Sequence, residues 1–160
     1  MLNLERKISI EELFESQAVW PVIVVEDATN KVVSLQEINI DAFRKTLKTG
    51  QCWYFDKVNN VIYLKGEHSN EVESLKKVTL DICHARRHIR NLHYRVDIAD
   101  GACMFGMSKC DFYVLDGNFF RVDSANIINK DASEKECTRI GTLLSEEEDI
   151  EHQKRFIRKK

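Results

Sequence analysis

The chain has 160 residues, of which 43% are hydrophobic and 31% charged, and its formal net charge is -2. A chain of this length is expected to form one domain whose hydrophobic core needs no disulfide bonds. The near-balance of charges excludes a dedicated nucleic-acid-binding protein, which normally carries a strongly basic domain. The sequence has no apolar run near the roughly 20 residues that cross a bilayer. Because residues 1–16 also lack the apolar stretch of a signal peptide, we expect a soluble cytoplasmic protein.

The first half of the chain predicts two hairpins with a helix between them. Ser9 and Glu12 match the capping-box pattern that begins a helix. Gly50 stands where a helix C-terminal glycine belongs, after a helix capped by Asn39 or Asp41. The predicted elements are a helix at residues 10–16, strands at 19–25 and 32–35, a helix through residues 42–47, and strands at 51–56 and 61–64.

Strands dominate the second half of the chain. Apolar residues recur with a period of two in residues 75–82, which favours a half-buried strand, and residues 92–98 are its expected partner. Asp116-Gly117 is a strong signal for a two-residue hairpin loop, here between strands at 112–115 and 118–122.

This order of elements is typical of an α+β fold rather than of an alternating parallel sheet. We predict a mostly antiparallel β-sheet with flanking helices. Residues 1–123 are predicted to form the domain, and residues 124–160 a C-terminal extension. The acidic start of this extension's last segment at Ser145 and its basic end predict a final helix.

Five cysteines in a chain without an export signal are expected to be metal ligands or free thiols rather than disulfide partners. Cys52 and Cys137 have the character of small buried hydrophobic residues. Cys83, Cys103 and Cys110 are candidate zinc ligands, because thiolates prefer zinc and a catalytic zinc usually keeps three protein ligands and one open position. Their spacing matches no zinc finger, so unconnected thiols remain the alternative.

A small polar loop follows the strand at residues 61–64, and in it Lys65 and Gly66 precede Ser69. Glycine lets a backbone approach an anion, while the ammonium and the hydroxyl supply hydrogen-bond donors, so this loop can hold a phosphate. Lys-Gly is equally common in ordinary turns. The sequence leaves both interpretations open.

Three segments are informative when they are taken together. Thr49-Gly50 at a helix end leads into Trp53-Tyr54, the polar loop reads Lys65-Gly66-Glu67-His68-Ser69-Asn70, and a later segment reads Cys103-Met104-Phe105-Gly106-Met107-Ser108-Lys109-Cys110. In this order they resemble the phosphoribosyl-AMP cyclohydrolase family, over about residues 20–113. That family has a Thr-Gly helix end before a Trp-Tyr strand, a Lys-Gly-Glu-Thr-Ser-Gly loop, and a Cys-His-x-Gly-x-x-Ser-Cys segment.

The resemblance implies a zinc-dependent hydrolase that opens or deaminates a purine-like nucleotide ring, in an intertwined homodimer with metal ligands from both subunits. Zinc would be held by Cys83, Cys103 and Cys110. Of the family's Asp-Cys-Asp-x-Asp segment only Asp81 remains as a magnesium candidate. Because magnesium prefers oxygen ligands, we expect that site to be lost or rebuilt. The substrate-binding candidates are Thr49, Trp53, Tyr63, Lys65, Gly66, Ser69, Arg86 and Arg87, and the candidates for proton transfer are Glu67, His84 and His88.

Residues 84–90 are rich in histidine and arginine, and three interpretations stay open. The segment is a solvated basic strand end or loop, or it is a phosphate clamp, since arginine binds phosphate in a bidentate way without a metal. In the third interpretation, His84 and His88 add imidazole ligands beside Cys83, which zinc accepts readily.

A second function also stays open. Met104 stands where the family has a histidine, and a methionine side chain cannot carry a proton. The alternative is therefore a catalytically inactive descendant that binds a nucleotide or a protein partner. A redox switch is a weaker third hypothesis, because the chain has no Cys-x-x-Cys motif. The expected partners are a phosphorylated purine-like nucleotide and a second copy of the chain, with no nucleic acid and no membrane.

Overall fold

A computed structural model of the chain describes residues 6–67, 72–83, 85–98, 112–128 and 130–131. The helices are α1 (Ile10–Ser16), α2 (Ile40–Thr49) and a 3-10 helix at Ser124–Asn126. The strands are β1 (Trp20–Glu26), β2 (Val32–Ile38), β3 (Trp53–Asp56), β4 (Val61–Leu64), β5 (Glu73–Cys83), β6 (His88–Ile98), β7 (Tyr113–Asp116) and β8 (Phe119–Val122). Within these ranges, neither α-helix has the length and apolar character that a bilayer-spanning helix needs.

Both α-helices begin and end as their sequences predict. The side chain of Ser9 accepts from the backbone N–H of Glu12, and the carboxylate of Glu12 accepts from the backbone N–H of Ser9, which completes the capping box of α1. Asn39 is the N-cap of α2, and its side chain accepts from the backbone N–H three residues later at 2.9 Å. Gly50 ends α2 at φ 75°, in the left-handed region that glycine enters without strain.

Among the described residues, β2, β1, β6 and β5 form a four-stranded sheet in that order. β1 pairs antiparallel with β2, and β5 pairs antiparallel with β6, as the sequence predicts. β1 and β6 instead pair in parallel, with Val24 opposite Tyr94. The fold is therefore α+β and mostly antiparallel, with one central parallel pair that the local sequence pattern did not indicate.

One face of this sheet bears the buried side chains of Val22, Val24, Leu92 and Tyr94, because alternate residues of a strand point to the same face. Helices α1 and α2 and the antiparallel β3–β4 hairpin contribute side chains to the same core. The ring of Phe43 in α2 packs against the ring of Tyr94, with centroids 6.4 Å apart. The core therefore places the β3–β4 hairpin next to the face of the sheet where the first candidate site residues lie.

The β5–β6 hairpin is longer than predicted. Its register extends to the pair Cys83 and His88, so β6 begins four residues before the predicted position 92. The basic segment 84–90 therefore includes a turn at residues 85–87 and the first residues of β6.

The β7–β8 hairpin turns one residue later than predicted. Asp116 lies opposite Phe119, so the two loop residues are Gly117 and Asn118, and Gly117 has φ 63°. Phe119 is 80% exposed. The predicted helix from Ser145 lies outside the described residues, and the division at residue 123 stays a prediction.

Candidate active site

Lys65 lies in the turn that follows β4, next to Gly66, whose φ of 84° requires glycine or costs strain. The Lys65 ammonium donates to the hydroxyl oxygen of Ser34 at 3.2 Å and to Oε2 of Glu73 at 3.1 Å. Its side chain is 19% exposed. Lys65 therefore reaches into the fold from the first turn of the candidate phosphate loop.

The partner of Lys65 is a buried carboxylate that was not among the sequence candidates. Glu73 is the first residue of β5, and its side chain is 1% exposed. Its Oε1 accepts from the hydroxyl of Tyr54 at 2.6 Å, while Oε2 accepts from Lys65. Both carboxylate oxygens thus have a donor, as a buried charge requires.

Two neighbouring acidic groups are kept protonated by this environment. Burial raises the pKa of the Cys52 thiol to about 12, and the negative charge of Glu73 adds to the effect. Burial, and then Glu73, also raises the pKa of the Tyr54 hydroxyl well above its usual value. Cys52 is fully buried and free, in agreement with its prediction as a small hydrophobic residue.

The candidate residues around the ring-binding position are held by the fold. Thr49 is exposed, and its hydroxyl donates to the carbonyl of Lys45 at 2.8 Å. Trp53 is buried, and the ammonium of Lys45 lies 3.8 Å from the centroid of its ring. Tyr63 is half-buried, and its hydroxyl donates to Oε1 of Gln36 at 3.1 Å. Of these three candidates, Trp53 is a core residue, whereas Thr49 and Tyr63 have surface that a ligand can reach.

A second group of candidates lies at the far end of β5. Cys83 is half-buried and lies opposite His88 in the ladder, which places both side chains on the same side of the hairpin. Arg86, Arg87 and His88 are exposed. The turn is tight, because the backbone N–H of Arg87 donates to the carbonyl of Cys83 at 2.7 Å and Arg87 has φ 55°.

Asp81, the magnesium candidate, is already bonded on both carboxylate oxygens. The guanidinium of Arg90 donates to Oδ2 at 3.0 Å and to Oδ1 at 3.1 Å. The side-chain amide of Asn91 also donates to Oδ2, at 3.0 Å. The bonds from Arg90 lower the pKa of Asp81 below its usual value. A cation at Asp81 would have to displace this arginine.

The two groups of candidates lie at opposite ends of one strand. At about 3.3 Å per residue, the distance along β5 from Glu73 to Cys83 is about 30 Å. Within one chain, the described candidates near Lys65 and those near Cys83 therefore do not meet. Glu67 is half-buried in the turn that begins at Lys65.

The metal predictions fall mostly on residues that the structure does not describe. Ser69, His84, Cys103 and Cys110 lie outside the described ranges. In the part of the chain that is described, no three His, Cys, Asp or Glu side chains group closely enough to hold a metal ion. The three-cysteine zinc site stays a prediction, since two of its ligands are outside this part.

Comparison with known proteins decides the family. Residues 35–113 match the family model for phosphoribosyl-AMP cyclohydrolase. A phosphoribosyl-AMP cyclohydrolase of Halorhodospira halophila is 33% identical over 105 residues, which are 66% of this chain and 70% of that relative. The chain belongs to the phosphoribosyl-AMP cyclohydrolase family. The resemblance found in the sequence is thereby confirmed.

Other relatives differ in how much of them the chain covers. A phosphoribosyl-AMP cyclohydrolase of Listeria innocua is 29% identical over 104 residues, which are 65% of this chain and 94% of the relative. The histidine biosynthesis bifunctional protein HisIE of Thermoanaerobacter pseudethanolicus is 28% identical over 117 residues, 73% of this chain. The chain spans about half (52%) of that bifunctional relative.

In this member of the phosphoribosyl-AMP cyclohydrolase family, sequence reasoning missed Glu73. One signal was present in the strand pattern. Glu73 stands two positions before Leu75, so an alternating strand places its carboxylate on the same face as an apolar side chain. A carboxylate in phase with the buried face of a strand is a candidate for a paired internal charge.

Proposed function

We propose that the chain is a zinc-dependent hydrolase of the phosphoribosyl-AMP cyclohydrolase type, which opens or deaminates the ring of a purine-like nucleotide. The observation that carries the proposal is the family match over residues 35–113, because it contains every candidate site residue. The relatives that support it are themselves named phosphoribosyl-AMP cyclohydrolases. Phosphoribosyl-AMP is therefore the first substrate to test.

Zinc fits the donor set that the sequence offers. Cys83, Cys103 and Cys110 would hold it, because three thiolates suit zinc and leave a fourth position open. When bound, zinc supplies Lewis-acid activation of water. Cys83 and His88 are paired across the β5–β6 ladder, which supports this end of the strand as the metal-binding end.

The chain's own residues would supply substrate binding and proton transfer. Ring hydrolysis adds water across a C–N bond, and the departing nitrogen takes up a proton. Glu67, His84 and His88 are our candidates for this proton transfer, since Met104 cannot perform it. Phosphate binding falls to two sets of groups, the turn of Lys65, Gly66 and Ser69, and the exposed guanidinium groups of Arg86 and Arg87.

The separation along β5 favours a site shared between two subunits. Lys65 and Cys83 belong to opposite ends of a strand that is about 30 Å long, so one chain does not bring them together. An antiparallel arrangement of two copies would place the Lys65 end of one chain near the Cys83 end of the other. We therefore include a homodimer in the proposal, together with a cytoplasmic location.

The alternative function is a catalytically inactive descendant that binds a nucleotide or a protein partner. The bonds that Asp81 accepts from Arg90 and Asn91 favour it, because they occupy the carboxylate that a family magnesium site would need. Met104 favours it as well. Both functions keep the fold and the nucleotide, so turnover separates them.

The first experiment is turnover of phosphoribosyl-AMP by zinc-loaded protein, with and without magnesium, followed by the absorbance change on ring opening. We expect turnover that is lost in Cys103→Ser together with the bound zinc. Cys137→Ser is the matched control, since Cys137 is a cysteine outside the proposed ligand set, and it should keep both. Light scattering of the same samples reports the dimer.

Each outcome of this experiment decides between the two functions. Full zinc retention in Cys103→Ser and in Cys110→Ser would contradict the proposed metal site. A folded, zinc-loaded protein that is stabilised thermally by nucleotide but shows no turnover would favour the inactive descendant.

A further inference from the structure

The ion pair between Lys65 and Glu73 joins the two ends of the candidate phosphate loop. Lys65 is the first residue after β4, and Glu73 is the first residue of β5, eight positions later. The ammonium and the carboxylate are 3.1 Å apart. The pair thus bridges the base of the segment 66–72, to which the proposed phosphate-binding residues belong.

Glu73 itself is fixed from several directions. Its Oε1 accepts from Tyr54, and its backbone carbonyl accepts from the N–H of Cys52 at 2.9 Å. The next inward residue of the strand, Leu75, donates its N–H to the carbonyl of Gly50 at 2.8 Å. The carboxylate is therefore a rigid acceptor, and the Lys65 side chain is the element that it orients.

A buried ion pair is not explained by stability alone. Removing two charges from water costs about as much as their attraction returns, and well-packed apolar residues often replace such a pair without loss. What an ion pair adds is direction, because an ammonium and a carboxylate fix each other's position more narrowly than two apolar side chains do. At the base of a substrate loop, fixed position has a functional use.

We propose that Glu73 is a positioning residue, which holds the Lys65 ammonium and thereby sets the base of the loop that binds the substrate's phosphate. The proposal rests on the proposed function for the phosphate role of Lys65. The fixing of the loop base itself does not depend on turnover. Glu73 acts only through Lys65, since its carboxylate is buried beneath the loop and is 1% exposed.

The test replaces the carboxylate with a neutral side chain of the same shape. In Glu73→Gln, we expect hydrogen exchange in peptides that span residues 64–75 to become about tenfold faster, because the loop base opens more easily. Peptides from β1 should change little. If phosphoribosyl-AMP is turned over, KM should rise about tenfold with kcat within about twofold, which is the pattern of lost substrate positioning.

The matched control is Tyr54→Phe, which removes the other bond to the same carboxylate and leaves Lys65 in place. It should leave the KM and the exchange of residues 64–75 near the wild-type values. Equal changes in Glu73→Gln and Tyr54→Phe would overturn the proposal, because they would reflect general loosening. Unchanged exchange in Glu73→Gln would overturn it as well.

A second variant covers the case in which Glu73→Gln does not fold. Lys65→Met combined with Glu73→Leu leaves no unpaired buried charge, and it should still exchange faster over residues 64–75 if the ion pair fixes the loop base. Wild-type exchange in this variant would overturn the proposal. Faster exchange in a chain whose wild type never turns over phosphoribosyl-AMP would support the positioning role while rejecting the proposed substrate.

Discussion

The two ends of β5 carry candidate residues in opposite environments. At the first end, Glu73 is buried, and each of its carboxylate oxygens accepts a bond from Tyr54 or Lys65. At the other end, Arg86 and His88 are exposed to water. The buried end forms its contacts within one chain, while the exposed end presents cationic groups to the solvent.

The difference follows from the cost of a charge in each environment. A buried carboxylate must find donors inside the fold, so its partners are fixed by the fold itself. An exposed arginine is solvated, needs no protein partner, and stays available for a phosphate or a second subunit. A fixed end and an available end on the same strand are what a site shared between two chains requires.

The largest expected effect is the loss of the buried charge partner. Lys65→Met should lower the free energy of unfolding by about 3 kcal/mol, because it leaves the Glu73 carboxylate buried without a counter-charge. The measurement is urea denaturation followed by circular dichroism. Lys57→Met is the control, since Lys57 and Glu37 pair at the surface with side chains 57% and 38% exposed. That control should cost less than about 1 kcal/mol, and equal losses would contradict the distinction between the two environments.

A smaller effect is expected from the second donor to Glu73. Tyr54→Phe should lower the free energy of unfolding by about 2 kcal/mol, because a buried acceptor then loses its hydrogen bond. Tyr94→Phe is a matched control at another fully buried tyrosine, whose hydroxyl has no hydrogen-bond partner among the described residues. Thermal denaturation should show little change or a gain in Tyr94→Phe. A larger loss there than in Tyr54→Phe would contradict the buried network.

Thiol reactivity should separate the two cysteines that the structure describes. At pH 8 Cys52 remains a thiol, since its pKa is about 12, and it is fully buried, whereas Cys83 is half-buried. In metal-free protein, alkylation should modify Cys83 at least about tenfold faster than Cys52. Peptide mass spectrometry at timed quenches measures both rates. Comparable rates would show that the interior at Cys52 opens readily.

The smallest effect is expected at the exposed pair of Asp81 and Arg90. Arg90 lowers the pKa of Asp81 in the folded state, so the pair stabilises the fold above the unfolded pKa of about 4. That contribution is lost as the pH falls through the lower folded pKa. Asp81→Asn should therefore lower the melting temperature slightly at pH 7 and no longer do so near pH 2. A difference that persists unchanged in acid would exclude the ion pair as its cause.

Much of the fold is written in local patterns. The capping box at Ser9, the glycine at position 50 and the period of two in β5 each act over a few residues, so their elements were predicted with small shifts of boundary. The early start of β6 was missed because His88 and Arg90 are polar and give no apolar signal. Local hydrogen bonding and side-chain alternation are sufficient for such predictions.

The candidate site divides in the same way. Lys65 and Gly66 were identified from the residues beside them, and the family was identified from short segments in a fixed order. Glu73 was not identified, because its carboxylate acquires its role only from Tyr54 and Lys65, which arrive from the β3–β4 hairpin. The predicted zinc ligands Cys103 and Cys110 remain predictions.

The sequence by itself determined the two α-helices, the hairpins and the membership of the family, because these depend on residues that are neighbours in the chain or on ordered motifs. Only the tertiary structure decided three things: the parallel pairing of β1 with β6, the buried pair of Lys65 with Glu73, and the separation of the candidates along β5. The physical reason is that each of these depends on contacts between segments far apart in sequence. Such contacts are fixed by how the whole core packs, and no local periodicity encodes them.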